Sequence, residues 1–455
     1  MAIKSSRIVL VSAALAVTVA AAADVFNPPP PAPPYSFPPT LNQVRVTNAA
    51  DLSAAVRALV SDTTIVLAAG TYNIDQPLLV GANGLVSNIV IRGETGHRDD
   101  VVLLGQGMDS DQSPVAFMFR SAANVLIADL TIGEVSQHAL EINGATGSTA
   151  IHVYDCRFFN TGEQFIKGNA DITNVDQGPD DGIVEYSVFE YLPRRVVVGG
   201  TTLDNVYGPI SGYTNGIDIH DGKRWIIRHN LFKNIRSLPG SPQSGGNSVP
   251  AVLAWDGSED TLVEQNTFIN CERAVALGLS APGVRPIPQP FDHRAGIVRN
   301  NFIYRDSGIA GDVGIAVFNS PSTVVVYNSV FQHVGPSNAR SYPNAIEYRF
   351  ATTVDVLIAN NLTDGAIAQR SSAQAVVRGN STQATSAFFA DTTVGDLHLV
   401  RPGANAVIDA ASAFADALVA NDWDGQPRPY GPAADIGADE WTPPIAVPIR
   451  PSQAK

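Results

Sequence analysis

The feature that most constrains this 455-residue chain is a corner that keeps returning. Short β-branched runs end in it: Ile227-Arg228-His229-Asn230-Leu231-Phe232, Val263-Glu264-Gln265-Asn266-Thr267-Phe268 and Ile297-Val298-Arg299-Asn300-Asn301-Phe302. Val326-Tyr327-Asn328-Ser329-Val330 and Ile358-Ala359-Asn360-Asn361-Leu362 continue the series. Asn230, Asn266, Asn300, Asn328 and Asn360 read as the corner residues, with fainter echoes at Asp129, Asp155 and Tyr186. A unit of roughly 30 residues with two or three short strands cannot bury its own apolar faces, whereas stacked copies can. Asn at a repeated corner tolerates left-handed backbone, and stacked side-chain amides can hydrogen-bond along the column.

The pattern predicts an all-β chain wound as a right-handed parallel β-helix. A sandwich would instead show Asn-Gly or Asp-Gly hairpin turns at short regular spacing, and these are scarce. Before the repeats, Lys4 and Arg7 precede an apolar stretch from Ile8 to about Ala20 and the small run Ala21-Ala22-Ala23. This is the layout of a secretory signal, so residues 1–23 are expected to be removed and the protein to be secreted or periplasmic. The stretch is shorter than a bilayer span requires, and no later segment comes closer. Residues 24–42 are proline-rich and read as an extended linker. The β-helix domain is expected over 43–442, with a tail at 443–455 and a monomeric state.

Cys156 and Cys271 are too few for a disulfide framework, and the repeats place them several coils apart, which predicts two free, buried thiols. The formal charge of −14 argues against nucleic acid or an anionic membrane as partner. An acidic polysaccharide would need a local basic patch.

At the start, Asn48-Ala49-Ala50-Asp51 has the form of a helix cap, and Leu52, Val56, Leu59 and Val60 make one apolar stripe that would lid the first coil. Thr64-Ile65-Val66-Leu67-Ala68-Ala69-Gly70-Thr71-Tyr72 then reads as strand, turn and strand. Such an opening resembles that of many pectin-lyase-like β-helix proteins, and among them polysaccharide lyase family 6, the alginate lyases and chondroitinase-B-like enzymes. Asp422-Trp423-Asp424-Gly425-Gln426-Pro427-Arg428, with Asp435-Ile436-Gly437-Ala438-Asp439-Glu440, resembles the closing motif of secreted bacterial β-helix proteins. The resemblance implies a polysaccharide-degrading activity. Family 6 enzymes use a Lys and an Arg as base and acid beside a calcium held by Asn and Glu; this chain does not match that motif residue by residue, so calcium remains an expectation of the resemblance alone. Asp424, Asp435, Asp439 and Glu440 read either as calcium ligands or, preferably, as hydrogen-bond acceptors that close the C-terminal end.

Side chains alternate between interior and surface along a strand. Gly216-Ile217-Asp218-Ile219-His220 therefore turns Asp218 and His220 outward. Aligning the other coils gives one outward column of Glu141, Phe165, Asp218, Leu253, Ala276, Ala316 and Glu347. A second runs Asn143, Lys167, His220, Trp255, Gly278, Phe318 and Arg349. Insertions at Asn169–Asp181, Val196–Tyr213, Arg236–Pro250 and Ser280–His293 would wall this face, and Arg194, Arg195, Lys223, Arg224 and Arg273 would bring positive charge to it. The reading that follows is β-elimination on an acidic, uronate-containing polysaccharide. Lys167 or His220 would be the base, with Asp218 beside them, Arg273 or Arg349 would clamp the carboxylate, and Trp255 would stack on a sugar ring. Glu141, Lys223, Arg224, Glu347 and Arg349 would line the substrate path, although Glu347 and Arg349 could equally be a local ion pair. Two other readings stay open: a glycoside hydrolase using two of Glu141, Asp218 and Asp221, and a non-catalytic glycan-binding or surface β-helix.

Overall fold

A computed structural model describes residues 32–174, 177–238, 250–309, 311–333 and 344–443. The expected signal peptide, the tail beyond 443 and most of the Arg236–Pro250 insertion lie outside these residues. The chain is a right-handed parallel β-helix of three sheets, one of twelve strands and two of ten, each built by in-register parallel pairing of successive coils. One coil illustrates the path. Ile226–Arg228 lies in the first sheet, Leu231–Lys233 in the third, Pro250–Trp255 in the second, and Leu262–Glu264 returns to the first beside its starting point. Among the described residues no helix is long and apolar enough to cross a membrane.

The corner between the first and third sheets divides the work expected of one asparagine between two neighbouring positions. The left-handed residues are Asp129, Asp155, Tyr186, His229, Gln265, Asn300, Tyr327 and Asn360, with φ between 48 and 57°. From His229 onward the next residue in each coil builds a ladder, Asn230, Asn266, Asn301, Asn328 and Asn361, ending at Asn380 after Gly379. Each amide Nδ2 before Asn380 donates to the Oδ1 of the following coil's asparagine at 2.9–3.1 Å. Asn300 and Asn360 thus belong to the bend rather than the ladder, which corrects the sequence alignment by one residue. The bend accepts His, Tyr and Gln because its side chain faces outward. The ladder position does not, because it must satisfy backbone groups with no water at hand.

Inside, Phe158, Phe189, Phe232 and Phe268 stack with centroids 4.9, 4.8 and 4.9 Å apart, one ring per coil. Such offset pairs each add about 0.5–1.5 kcal/mol beyond the area they bury. Cys156 and Cys271 are free and buried as expected, and burial raises both thiols, that of Cys271 to about 12.

The helix Ala49–Arg57 is capped by Asn48, whose side chain accepts from the amide of Asp51 at 2.9 Å, and it buries Leu52 and Val56 against the first coil. Val60 falls after the helix and is exposed, so the stripe is one residue shorter than expected. The described part of the proline-rich stretch packs instead of spanning free space. Tyr35 sits 4.5 Å from the Tyr154 ring, and Arg92 lies over Phe37. The closing segment also lies elsewhere than expected. It folds back along the outside of the third sheet, where Trp423 stacks on Phe302 at 4.7 Å and Gln265 donates to the carbonyls of Asp422 and Trp423.

Candidate active site

The outer face of the second sheet carries the charged residues that the alternation singled out, with one change of register. Lys167 pairs with Glu141 on one side and Asp218 on the other, so it stands in the first column. Phe165, assigned there from the sequence, is buried in the interior. The cause is a doublet of inward residues at the start of these strands: Ala139-Leu140, Phe165-Ile166, Ala251-Val252, Ala274-Val275 and Ala345-Ile346 all belong to the core. The doublet resets the alternation, so counting backwards through it turns the wrong side chains outward.

The corrected register brings four predicted residues together. Lys167 Nζ lies 2.5 Å from Asp218 Oδ2 and 2.5 Å from His220 Nε2. Trp255 Nε1 donates to Asp218 Oδ1 at 2.9 Å. The other imidazole nitrogen, His220 Nδ1, is 2.7 Å from Asp256 Oδ2. Arg285, from the Ser280–His293 insertion, grips Asp256 with two nitrogens at 2.8 and 2.6 Å and lies over the Trp255 ring. Neither Asp256 nor Arg285 was singled out from sequence. Asp256 is a corner residue with φ 55°, outside the strand pattern, and Arg285 lies in an irregular insertion. Trp255 is therefore not the open platform expected, since the Arg285 guanidinium occupies one face of its ring.

Burial works against the charge of Asp218, which is 1% exposed, but His220 and Lys167 outweigh it and hold the carboxyl well below the usual range. Burial also opposes the His220 imidazolium, yet Asp218 and then Asp256 overcome this and raise its pKa. Asp256 is lowered, its burial outweighed by hydrogen bonds from His220 and Arg285. His138, at the start of the neighbouring strand, is pushed down to about 4 by burial and by the charge of Lys167. Tyr213, at the end of the Val196–Tyr213 insertion, is near enough for the charges of Lys167 and Asp218 to act on its hydroxyl, which burial raises. Glu163 is raised by burial.

The remaining predicted residues lie apart from this cluster. Arg273 is ion-paired with Asp312 and precedes an inward doublet, so it does not reach the Lys167–His220 pair as the expected carboxylate clamp. Glu347 is fully buried and accepts from Arg370 on the next coil at 3.0 Å, not from Arg349. Arg349 instead lies over Phe350 and Phe318. Arg224 is held by Asp181 and Asp180, and the Lys223 amide donates to Asp180. Arg194 pairs with Asp109 and Arg195 with Asp204. Most of the basic patch inferred from the insertions is thus neutralised locally. The Val196–Tyr213 insertion itself contains an antiparallel hairpin, Arg194–Val198 with Thr201–Val206.

Calcium would require hard oxygen donors. Donors of that kind stand on the two coils before Asp218: Glu141 accepts from Asn169 at 2.9 Å, and the Asn143 Oδ1 is buried without a hydrogen-bond partner. A second cluster of possible ligands comprises His398, Asp424 and Asp439. There both imidazole nitrogens already face carboxylates, Asp396 at 2.5 Å and Asp424 at 3.1 Å, and these overcome burial to raise His398 to about 11. Asp435, Asp439 and Glu440 accept backbone N–H groups, so in this segment hydrogen bonding is the role the geometry displays.

The fold class of this chain, a right-handed parallel β-helix, includes known polysaccharide lyases and adhesins. An alginate lyase from Paenibacillus sp. str. FPU-7 is similar at 13% identity and a TM-score of 0.38, over 75% of this chain and 99% of that one. Pectate lyase Pel9A is similar at 13% identity and a TM-score of 0.44, over 89% and 97%. PfbA, a surface adhesin of Streptococcus pneumoniae, is similar at 12% identity and a TM-score of 0.43, over 73% and 86%. No family model matches the sequence, and no curated protein matches it.

Proposed function

We propose that the protein cleaves an acidic, uronate-containing polysaccharide by β-elimination on the outer face of the second sheet. The observation that carries this reading is the Lys167–His220 contact of 2.5 Å, flanked by two buried carboxylates. At that distance one nitrogen has to accept from the other, so a proton is shared between them. Asp218, Asp256 and Arg285 together carry one net negative charge beside the pair. Once the shared proton is lost, the freed nitrogen lone pair is a base on a rigid sheet, and removal of a proton next to a carboxylate requires such a group. Tyr213 is a neutral proton donor near Lys167 and Asp218 that could supply a proton to the leaving glycosidic oxygen, although burial makes it a weaker acid than free tyrosine. Glu141, Asn143 and Asn169 would hold calcium, which when bound supplies positive charge to the uronate carboxylate.

The hydrolase alternative is less well supported. Asp218 is kept ionised by its partners and cannot donate a proton, and Asp221 is buried at the corner with Gln289 donating to it. A binding-only reading is favoured by one observation: the Lys167 and His220 side chains are only 10% and 13% exposed, as in a structural ion-pair network. Incubation with alginate, pectate, chondroitin, hyaluronan and heparan separates the three. Unsaturated uronate ends support elimination, reducing ends without unsaturation support hydrolysis, and affinity without product supports binding alone.

A further inference from the structure

Farther along the same face, two arginines gather around one aromatic pair. Arg349 is the direct neighbour of Phe318 on the next coil. The guanidinium carbons of Arg273 and Arg349 lie 5.7 and 5.8 Å from the Phe318 ring centre, and Arg349 is 4.6 Å from that of Phe350. Phe318 and Phe350 meet edge to face at 6.1 Å.

Their hydrogen bonding is incomplete. Arg273 is 6% exposed, and one of its nitrogens pairs with Asp312. Its Nε and Nη1 are buried with no acceptor, and so is the Nε of Arg349. Among the described residues Arg349 has no carboxylate partner, since the nearby Glu347 is taken by Arg370. Buried N–H groups of a guanidinium are costly to leave unpaired, and a native fold seldom keeps several in one place without a purpose. Asp312 balances Arg273 and Arg370 balances Glu347, so the charge of Arg349 is left over. The planar fork of a guanidinium matches a carboxylate, and the partly exposed Phe350, packed on the buried Phe318, suits the apolar face of a sugar ring.

We infer that Arg349 and Phe350, backed by the buried Arg273 and Phe318, form a separate subsite for the carboxylate of a uronate residue, remote from the Lys167–His220 pair. Arg349 is four coils beyond His220, roughly 19 Å at the usual strand spacing. A short ligand held at the pair cannot reach it, so the subsite selects for long acidic chains. Binding energy gained there can be spent at the reacting centre. The inference rests on the reading of this face as a binding face for acidic glycans.

The test is calorimetric binding at low salt of disaccharides and octasaccharides from alginate and polygalacturonate, with neutral cello-oligosaccharides as control. A Lys167→Met background prevents cleavage. Replacement of half-exposed Arg349 by Gln is expected to weaken the acidic octasaccharide roughly tenfold or more and leave the disaccharide unchanged. Arg349→Lys should recover part of the loss. Equal octasaccharide affinity in the parent and Arg349→Gln, with an unchanged melting midpoint, overturns the subsite while leaving the face itself intact. So does an equal loss for both chain lengths. Failure of the parent to bind any acidic chain removes the subsite and the functional reading together.

Discussion

Lys167 Nζ and His220 Nε2 stand 2.5 Å apart with Asp218 against the lysine and Asp256 against the far imidazole nitrogen. The four side chains form a row in which the two nitrogen groups lie between two carboxylates. Its members come from two strands and one corner on successive coils, so stacking of the coils is what assembles it.

If the pair acts as one base, each member depends on the other. Lys167→Met and His220→Ala are each expected to lower kcat by about 10²–10⁴, the usual range for a general base. The double variant should be little worse than either single one, as for residues that act as a unit. Steady-state rates on the same substrate check this, and independent additive losses would separate the two roles.

The pH profile follows from the direction of the His220 shift. Its pKa is raised above the ordinary value of about 6.5, so the base is liberated as pH rises through that higher value, and kcat/KM should climb toward alkaline pH to a plateau. Asp256→Asn removes one of the two carboxylates that favour the imidazolium. The climb should then move to lower pH, with a reduced plateau because the imidazole is no longer oriented.

Asp218 makes an opposite contribution to stability. Its folded pKa is depressed, so the stabilisation is present above its unfolded value and lost as pH falls through the folded one. Asp218→Asn leaves Lys167 and His220 without their anion and is expected to cost about 3–5 kcal/mol at neutral pH. Denaturant titrations should show that gap narrowing in strong acid, where the native carboxyl is also protonated.

The corner makes a prediction of its own. Asn301 donates to the carbonyls of Val263 and Arg299 and to Asn328, and accepts from the amide of Asn266. Asn301→Ala orphans several of these buried groups and should cost at least about 2 kcal/mol. Its neighbour Asn300 has φ 52° and is buried against the closing segment, where its amide donates to the Asn421 carbonyl at 2.6 Å, so Asn300→Gly relieves the left-handed backbone but loses one hydrogen bond and should cost less, about 1 kcal/mol. Melting midpoints of the two variants would distinguish ladder from bend.

The architecture was legible because its cause is periodic. Repeated Val, Ile and Phe runs have to stack, and the helix at Asn48 has its cap and buried face in plain order. The columns were legible where the strand pattern is clean, which is why Asp218, His220 and Trp255 were placed correctly. Phe165 was misplaced by the inward doublet at the start of these strands, which a strict alternation cannot register, and Lys167 went into the wrong column with it. Asp256 and Arg285 were not visible in the pattern. A corner aspartate reads as a turn former and an arginine in a loop as a solvated charge, and only the closed geometry gives them to His220 and Trp255. The basic patch was overestimated because the partners of Arg194, Arg224 and Arg273 lie far away in sequence.

The central claim is that Lys167 and His220 remove a proton from a uronate. The most direct test is the ultraviolet absorbance of unsaturated uronate ends, followed side by side for the native protein and Lys167→Met across alginate, pectate and glycosaminoglycans. The account predicts a steady rise on at least one acidic chain with the native protein, and its near-complete loss in the variant. No rise on any chain, or an equal rise in both proteins, would contradict it.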